Sequence, residues 1–183
     1  MNRAKDTAGA EAIARRMIDT EPTVFDHRLR LARLLAEHGA QEKAEAVLRE
    51  AIALDPQSEE RWLLLADFLA TRKNVSIAEE LMLEASTKLP HSAKVQFALA
   101  DLYRQHGQNA KAHERYDTLV QDFKSKPAGL EAKVKLAEMD LISGKEAEAS
   151  QRLQEVLKEN PRSPDALTLS GRMAMARRNG KDA

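Results

Sequence analysis

The stretch from Trp62 to Pro90 decides the fold and reads WLLLADFLATRKNVSIAEELMLEASTKLP. Its apolar residues recur three and four positions apart, which is typical of amphipathic helices. In the first half a small residue, Ala66, lies between large ones, and in the second half large Met82 lies between small Ala78 and Ala85. These complementary faces predict two helices that pack closely as a hairpin, with the final proline just past the second helix.

Prolines set a regular spacing along the chain. Pro22, Pro56 and Pro90 lie 34 residues apart, and Pro127 and Pro161 are again 34 residues apart. The interval of 37 residues between Pro90 and Pro127 indicates an insertion of three, which we place just before Pro127. Because proline disfavours a helical conformation in the residue before it, each is expected just past a helix. The spacing therefore predicts a tandem repeat of helical hairpins.

Small residues recur where paired helices would touch. On first helices they are Ala32, Ala66, Ala100 and Ala137, and on second helices Ala44, Ala78, Ala112 and Ala149. Gly39, Gly107 and Gly144 fall in the expected turns within hairpins, where a positive φ suits glycine, and Asn74 takes this place in one repeat.

Two positions depart from the pattern. Arg28 occupies a position that is aromatic in the quoted hairpin, and Asp140 occupies a large apolar position, whose packing role we expect Leu141 to take.

The starts of later helices follow the usual preference for a capping serine, at Ser58, Ser92 and Ser163.

With this two-helix pattern, period and proline placement, the chain resembles the tetratricopeptide repeat (TPR) family. The resemblance implies an all-α fold, a right-handed superhelical α-solenoid of helix-turn-helix repeats that forms a single array over residues 1–183. The expected units are a half repeat with only a second helix (8–22), repeats at 25–58, 59–92, 93–129 (with the insertion) and 130–163, and a half repeat with only a first helix (164–183). Because both ends lack a paired helix, we expect a fragment of a longer repeat protein, with ends able to self-associate. The alanine-rich repeats, with endings such as KENPRSPDAL at 158–167, resemble those of large bacterial TPR proteins, and this resemblance implies a bacterial-type protein.

Charge and composition exclude several classes of function. Basic and acidic residues number 29 each, whereas proteins that bind nucleic acid through its phosphates usually carry a basic surplus. Cysteine is absent, which excludes disulfides and cysteine chemistry. No apolar run approaches the ~20 residues that span a bilayer. We therefore expect a soluble segment with no nucleic-acid partner and no direct membrane insertion, and its compartment, bacterial periplasm or cytoplasm, stays open.

Residues that would form an enzyme site do not occur in a recognisable pattern. The histidines lack cysteine partners and metal-ligand spacing, and we expect them at the surface or at hairpin edges; they are His27, His38, His91, His106 and His113. Glycine-rich phosphate loops and serine nucleophile elbows are missing. We therefore expect no catalytic residue, no metal site and no cofactor.

In TPR proteins the first helices line a concave groove where ligands commonly bind, and the resemblance implies this role for the matching positions here. A residue that is apolar or nearly so recurs at one offset, at Leu29, Leu63, Phe97, Val134 and Thr168, with charges one turn away. The expected partner-binding residues are Leu29, Arg33, Glu37, Leu63, Asp67, Lys94, Phe97, Asp101, Arg104, Val134, Glu138, Thr168 and Arg172. This pattern suits a peptide with apolar anchors and a mixed-charge rim. The alternative is that these side chains only complete the packing between helices.

The expected function is that of a non-enzymatic scaffold that binds a peptide or partner protein. It would act in a larger bacterial assembly of the secretion, exopolysaccharide-export or pilus type. A different class stays open, in which the segment is the protein-recognition part of a larger enzyme such as a TPR-containing glycosyltransferase. The carboxylate clamp of one TPR subclass is not expected, because only Lys94 matches at the corresponding positions.

Overall fold

The computed structural model describes residues 3–72 and 75–179, and these residues form α-helices joined by short turns. The expected turn residue Asn74 and the last four residues of the final expected half repeat, 180–183, lie outside the described residues. The helices are α1 (Arg3–Thr20), α2 (Phe25–Glu37), α3 (Gln41–Leu54), α4 (Glu59–Arg72), α5 (Val75–Lys88), α6 (Ala93–Gln105), α7 (Asn109–Phe123), α8 (Pro127–Ile142), α9 (Glu146–Glu159) and α10 (Pro164–Asn179). Strands are absent from the described part of the chain, and the expected all-α helical-repeat fold is confirmed.

The helices group into two compact units that divide after Val95, and each unit is built from consecutive helices in contact. In the first unit α1 contacts α2, α2 packs on α3, α3 contacts α4, and α4 packs on α5. In the second unit α7 packs on α8, α8 packs on α9, and α10 lies against both α8 and α9. Contacts between neighbours in the chain are typical of repeat proteins, whose stability accumulates by stacking.

In the first unit, the stretch from Trp62 to Pro90 forms the core that its spacing predicts. The tryptophan is 3% exposed, and Leu65 and Leu69 of α4 are fully buried. On α5, Ala78 and Ala85 are also fully buried. Because alanine leaves little bulk between the two backbones, the helices approach closely, and the large side chains beside them fill the remaining space. Each fully buried leucine contributes about 1.5–3 kcal/mol of apolar transfer free energy.

The second unit contains an apolar cluster that joins α8, α9 and α10. Leu141 is only half-buried at the edge of this cluster, so it takes the packing role expected of it only in part. The buried members are Leu130, Val134, Ala137, Ala149, Leu153, Val156, Ala166, Leu169 and Met173. α10 therefore contributes apolar side chains to the core of this unit.

The glycine turns and two of the three expected serine caps follow the expected local chemistry. At Ser58 the backbone carbonyl oxygen, and not the side chain, accepts the hydrogen bond from the N–H of Arg61, at 3.2 Å. Gly39, Gly107 and Gly144 have φ values of +81°, +72° and +76°, so the left-handed turns expected at these glycines are confirmed. Ser92 and Ser163 each accept a hydrogen bond at the side-chain oxygen from the backbone N–H three residues later, at 3.1 Å and 3.4 Å. These bonds pair N–H groups that the first turn of a helix otherwise leaves without a partner.

Pro127 is placed differently from the other repeating prolines. It begins α8, with Lys126 in an extended conformation before it, so α8 starts three residues before the expected repeat boundary at Leu130. Proline suits the first helical position because its missing N–H would have no partner there. The turn before it is tight: Lys124 has a φ of +48°, and a side chain at Gly129 would collide with the carbonyl oxygen of Lys124. Glycine at position 129 is therefore required by a close backbone approach.

Candidate functional site

Expected groove residues of α2 and α4 line one cavity in the first unit. The cavity has a volume of about 200 Å³, with Leu29 and Arg33 from α2 and Leu64, Asp67 and Phe68 from α4. On each helix these positions are three or four residues apart, which places them on one face. The leucines and the phenylalanine are half-buried, whereas the arginine and the aspartate are exposed. The cavity thus has an apolar floor and one charge of each sign at its surface.

A wider cavity of about 750 Å³ extends along α4. Leu63 and Asp67 line it together with Glu59, Glu60 and Lys94. The Nζ atom of Lys94 lies 3.6 Å from Oε2 of Glu59, an exposed pair that contributes about 1 kcal/mol or less. Because Asp67 lines both cavities, it joins them into one surface, which we call the first-unit groove: Leu29, Arg33, Leu63, Leu64, Asp67, Phe68 and Lys94.

Two charged side chains of the first-unit groove, Arg33 and Asp67, differ from their neighbours in having no internal partner. Arg33 and Asp67 form no hydrogen bond or ion pair through their side chains with any residue that the structure describes, and the same holds for exposed Glu37 at the end of α2. In contrast, Arg30 on the next face of α2 donates to Oδ2 of Asp26 at 2.7 Å. A ligand would therefore meet free charges at Arg33 and Asp67 and would not have to break an existing pair.

In the second unit, the expected groove residues of α6 are engaged within the hairpin. The hydroxyl of Tyr116 on α7 donates to Oδ1 of Asp101 at 2.6 Å, and Nη2 of Arg104 lies 3.5 Å from the same oxygen. The rings of Phe97 and Tyr116 are 6.1 Å apart and tilted by 52°, a favourable aromatic arrangement. Burial of Tyr116, with its hydrogen bond to Asp101, raises the pKa of the phenol above its ordinary value of 10.0. Part of the expected binding surface therefore stabilises the α6–α7 contact.

The remaining expected residues are dispersed over α8 and α10. Val134 is 4% exposed and belongs to the apolar cluster, so its side chain is not presented to a partner. Glu138 lies on α8, with Oε2 3.8 Å from Nζ of Lys135. Thr168 and Arg172 are exposed on α10, and the arginine lines a cavity of about 540 Å³.

The departure at Arg28 has a structural explanation that the sequence did not reveal. In the quoted hairpin, Nε1 of Trp62 donates to the carbonyl oxygen of Pro56 at 2.9 Å. One repeat earlier, Nη1 of Arg28 donates to the carbonyl oxygen of Pro22, again six residues before it. Arginine thus supplies the same hydrogen bond as the tryptophan. The six-residue separation from a proline, which both residues share, was the feature of the sequence that could have predicted this bond.

The departure at Asp140 is explained by a partner on the next helix. Asp140 is buried, and its Oδ2 accepts a hydrogen bond at 2.8 Å from Nε of Arg152 on α9. Nη1 of Arg152 also lies 4.0 Å from Oδ1 of Asp117 on α7. A buried carboxylate is tolerated because a charged donor pairs with it.

One histidine differs from its expected surface location. His27 is 8% exposed, and its Nε2 lies 2.7 Å from Oε2 of Glu21. The expectation was wrong here because His27 lies on the face of α2 that packs inward, as does its neighbour Arg28.

Within the described ranges, no three His, Asp or Glu side chains are grouped so that they could hold a metal ion. None of the helices in those ranges is long and apolar enough to cross a membrane.

Solved structures with a similar fold include MamA, PilF and YrrB. MamA shares 20% sequence identity at a TM-score of 0.59, over 86% of this chain and 91% of MamA. PilF of Pseudomonas aeruginosa shares 19% identity at a TM-score of 0.59, over 98% of this chain and 80% of PilF. YrrB, a TPR protein with an unusual peptide-binding site, shares 10% identity at a TM-score of 0.59, over 92% of this chain and 85% of YrrB. At these identities the likeness concerns the fold.

Comparison with curated protein sequences found no significant match. Two family models, both described as tetratricopeptide repeat, match residues 2–68 and 97–149, which together make up well over half of the chain. The repeat pattern, the paired helices and these matches agree, and the chain belongs to the tetratricopeptide repeat family.

Proposed function

We propose that this protein is a non-enzymatic scaffold that binds a peptide or partner protein through the exposed faces of its first helices. The observation that carries the proposal is the first-unit groove, where apolar side chains lie beside the charges of Arg33 and Asp67, which no described residue neutralises. Peptide recognition commonly combines apolar anchors in pockets with a polar rim. The structural likeness to YrrB, a TPR protein with a peptide-binding site, supports the same interpretation.

The wider expected groove is part of this proposal, with different contributions from its residues. Leu29, Arg33, Leu63, Asp67 and Lys94 would contact the partner directly. On the second unit, exposed Thr168 and Arg172 would extend the surface, and Phe97, Asp101, Arg104 and Glu138 would contribute through their exposed parts. The buried Val134 would support the surface from below.

We further propose that the partner belongs to a larger bacterial assembly of the secretion, exopolysaccharide-export or pilus type. A nucleic-acid partner is not part of the proposal, because the chain has no net charge to balance a phosphate backbone. The non-enzymatic role agrees with the family, since helical-repeat folds commonly supply extended binding surfaces. We also propose that the repeats form a single array over residues 1–183.

Site-specific photo-crosslinking tests this function. A benzophenone amino acid would be placed at Leu63, in the groove, or at exposed Glu50 on α3 as the matched control. After irradiation in a lysate of the native host, we expect a defined polypeptide adduct from position 63 that position 50 does not give. Identical adducts from both positions would remove the groove from the proposal, and peptide mapping of a specific adduct would identify the contacted segment.

A further inference from the structure

The two units differ in how much of their expected binding surface is available. In the second unit, Asp101 accepts a hydrogen bond from Tyr116, and Phe97 packs on the same ring. In the first unit, Arg33 and Asp67 line one cavity, yet they pair neither with each other nor with another described residue. Since two unpaired charges of opposite sign beside an apolar cavity can each bind a complementary charge, the first unit is the better candidate for recognition.

The size of the cavity between α2 and α4 limits what can enter it. A volume of about 200 Å³ suits one apolar side chain, given that an apolar cavity of about 150 Å³ accepts a benzene ring. Leu29, Leu64 and Phe68 provide the apolar contact surface. The two charges come from different helices, with the cation of Arg33 on α2 and the carboxylate of Asp67 on α4.

We propose that the first-unit groove recognises an extended peptide segment in which a leucine-sized apolar residue lies between an acidic and a basic residue. The apolar side chain enters the cavity, the acidic residue pairs with Arg33, and the basic residue pairs with Asp67. In an extended chain, side chains two positions apart point to the same side and are about 7 Å apart, so one short segment can supply all three groups. This inference rests on the proposed peptide-binding function and adds the chemistry of the ligand.

A panel of labelled peptides tests the ligand chemistry with the full chain. Each peptide is a fluorescein-labelled ten-residue Gly/Ser sequence with a central Leu, and with flanking charges two residues before and after it. The flanks are Glu and Lys in either order, Glu twice, or Lys twice. In fluorescence polarisation, we expect one mixed-charge order to bind at least about fivefold more tightly than both uniform-charge peptides. Replacement of the central Leu by Ser should abolish binding, and 0.5 M NaCl should reduce the mixed-charge preference.

Charge reversal in the protein tests which flanking charge of the peptide pairs with Arg33 and which pairs with Asp67. Arg33→Glu should shift the preference to the peptide with two Lys flanks, and Asp67→Lys should shift it to the peptide with two Glu flanks. The matched controls are Lys43→Glu and Glu50→Lys, which make the same charge changes at exposed positions of α3 outside the cavity. The controls should retain the wild-type preference, and circular dichroism should give equal helicity for all four variants.

The outcomes separate this inference from the broader function. Equal binding of mixed-charge and uniform-charge peptides, or a preference that follows the control substitutions, would overturn the inference. If the peptides fail in this way while crosslinking at Leu63 still gives a specific polypeptide adduct, the scaffold function stands with a different ligand chemistry. If neither experiment gives a specific signal, both proposals fail.

Discussion

The buried pair formed by Asp140 and Arg152 gives the sharpest test of how this fold accommodates a charge. The Asp140 side chain is 5% exposed and the Arg152 side chain 29% exposed, with Nε and Oδ2 2.8 Å apart. Arg152→Leu keeps much of the aliphatic stem but leaves the carboxylate buried without its cation. Breaking a buried pair in this way costs about 3–5 kcal/mol, and the partial exposure of Arg152 favours the lower end, about 3 kcal/mol.

Replacement of the carboxylate should behave differently. At the equivalent position the other repeats carry Leu35, Leu69 and Tyr103, all buried. Asp140→Leu therefore restores an apolar residue, and the freed guanidinium of Arg152 can turn to water. We expect Asp140→Leu, alone or with Arg152→Leu, to change stability by less than about 1 kcal/mol or to increase it.

Thermal and urea unfolding followed by circular dichroism measure these differences. For a chain of this length, a loss of 3 kcal/mol lowers Tm by roughly 6–12 °C. Hydrogen exchange should show the faster opening of Arg152→Leu first in α8 and α9. Equal losses for Arg152→Leu and Asp140→Leu, or a double variant as unstable as Arg152→Leu, would refute the argument that an unpaired buried carboxylate is the source of the cost.

Two further predictions follow from local geometry. Gly129→Ala should lower the free energy of unfolding more than Gly107→Ala. At position 129 the added Cβ would collide with the backbone of Lys124. At position 107 the Cβ lies in open space and adds only the strain of a positive φ, about 1–2 kcal/mol. Urea midpoints of the two variants measure this order, and a reversed order would contradict the close approach at Gly129. The hydrogen bond from Lys133 lowers the pKa of Glu155. The pair therefore stabilises the folded protein fully above the ordinary carboxyl pKa range, and this stabilisation is lost as the pH falls through the lowered pKa. Lys133→Gln should raise this pKa in an NMR titration and cost at most about 0.5 kcal/mol at neutral pH, since the pair is partly exposed; an unchanged pKa would contradict the pairing.

The fold was predictable because the features that determine it repeat in the sequence. Alanine at the helix contacts, glycine in the turns and proline past the helices each satisfy a backbone or packing requirement that every repeat shares. A requirement that recurs every 34 residues is visible even when any single match is weak. Pro127 was the exception, since proline is compatible both with the end of one helix and with the first position of the next.

The state of the candidate site was less predictable, because it depends on pairs that join different helices. Tyr116 reaches Asp101 across a hairpin, and Arg152 reaches Asp140 from a neighbouring helix. Such pairs have no period of their own, and one change of residue creates or removes them. The sequence could therefore indicate which positions line first helices, but not which of their charges remain free.

One helical position, compared across the repeats, brings these points together. Arg33, Asp67, Asp101, Glu138 and Arg172 occupy the same place on successive first helices, if the insertion of three is allowed for. The backbone and packing requirements do not specify this position, so its residue can vary in sign and in partner. Asp101 is bound within its hairpin and Glu138 lies near a lysine, whereas Arg33 and Asp67 are unpaired beside an apolar cavity. The repeats share the same backbone and packing arrangement, so a difference in ligand preference between them comes from such variable positions. In the first unit, two unpaired charges of opposite sign lie beside an apolar cavity.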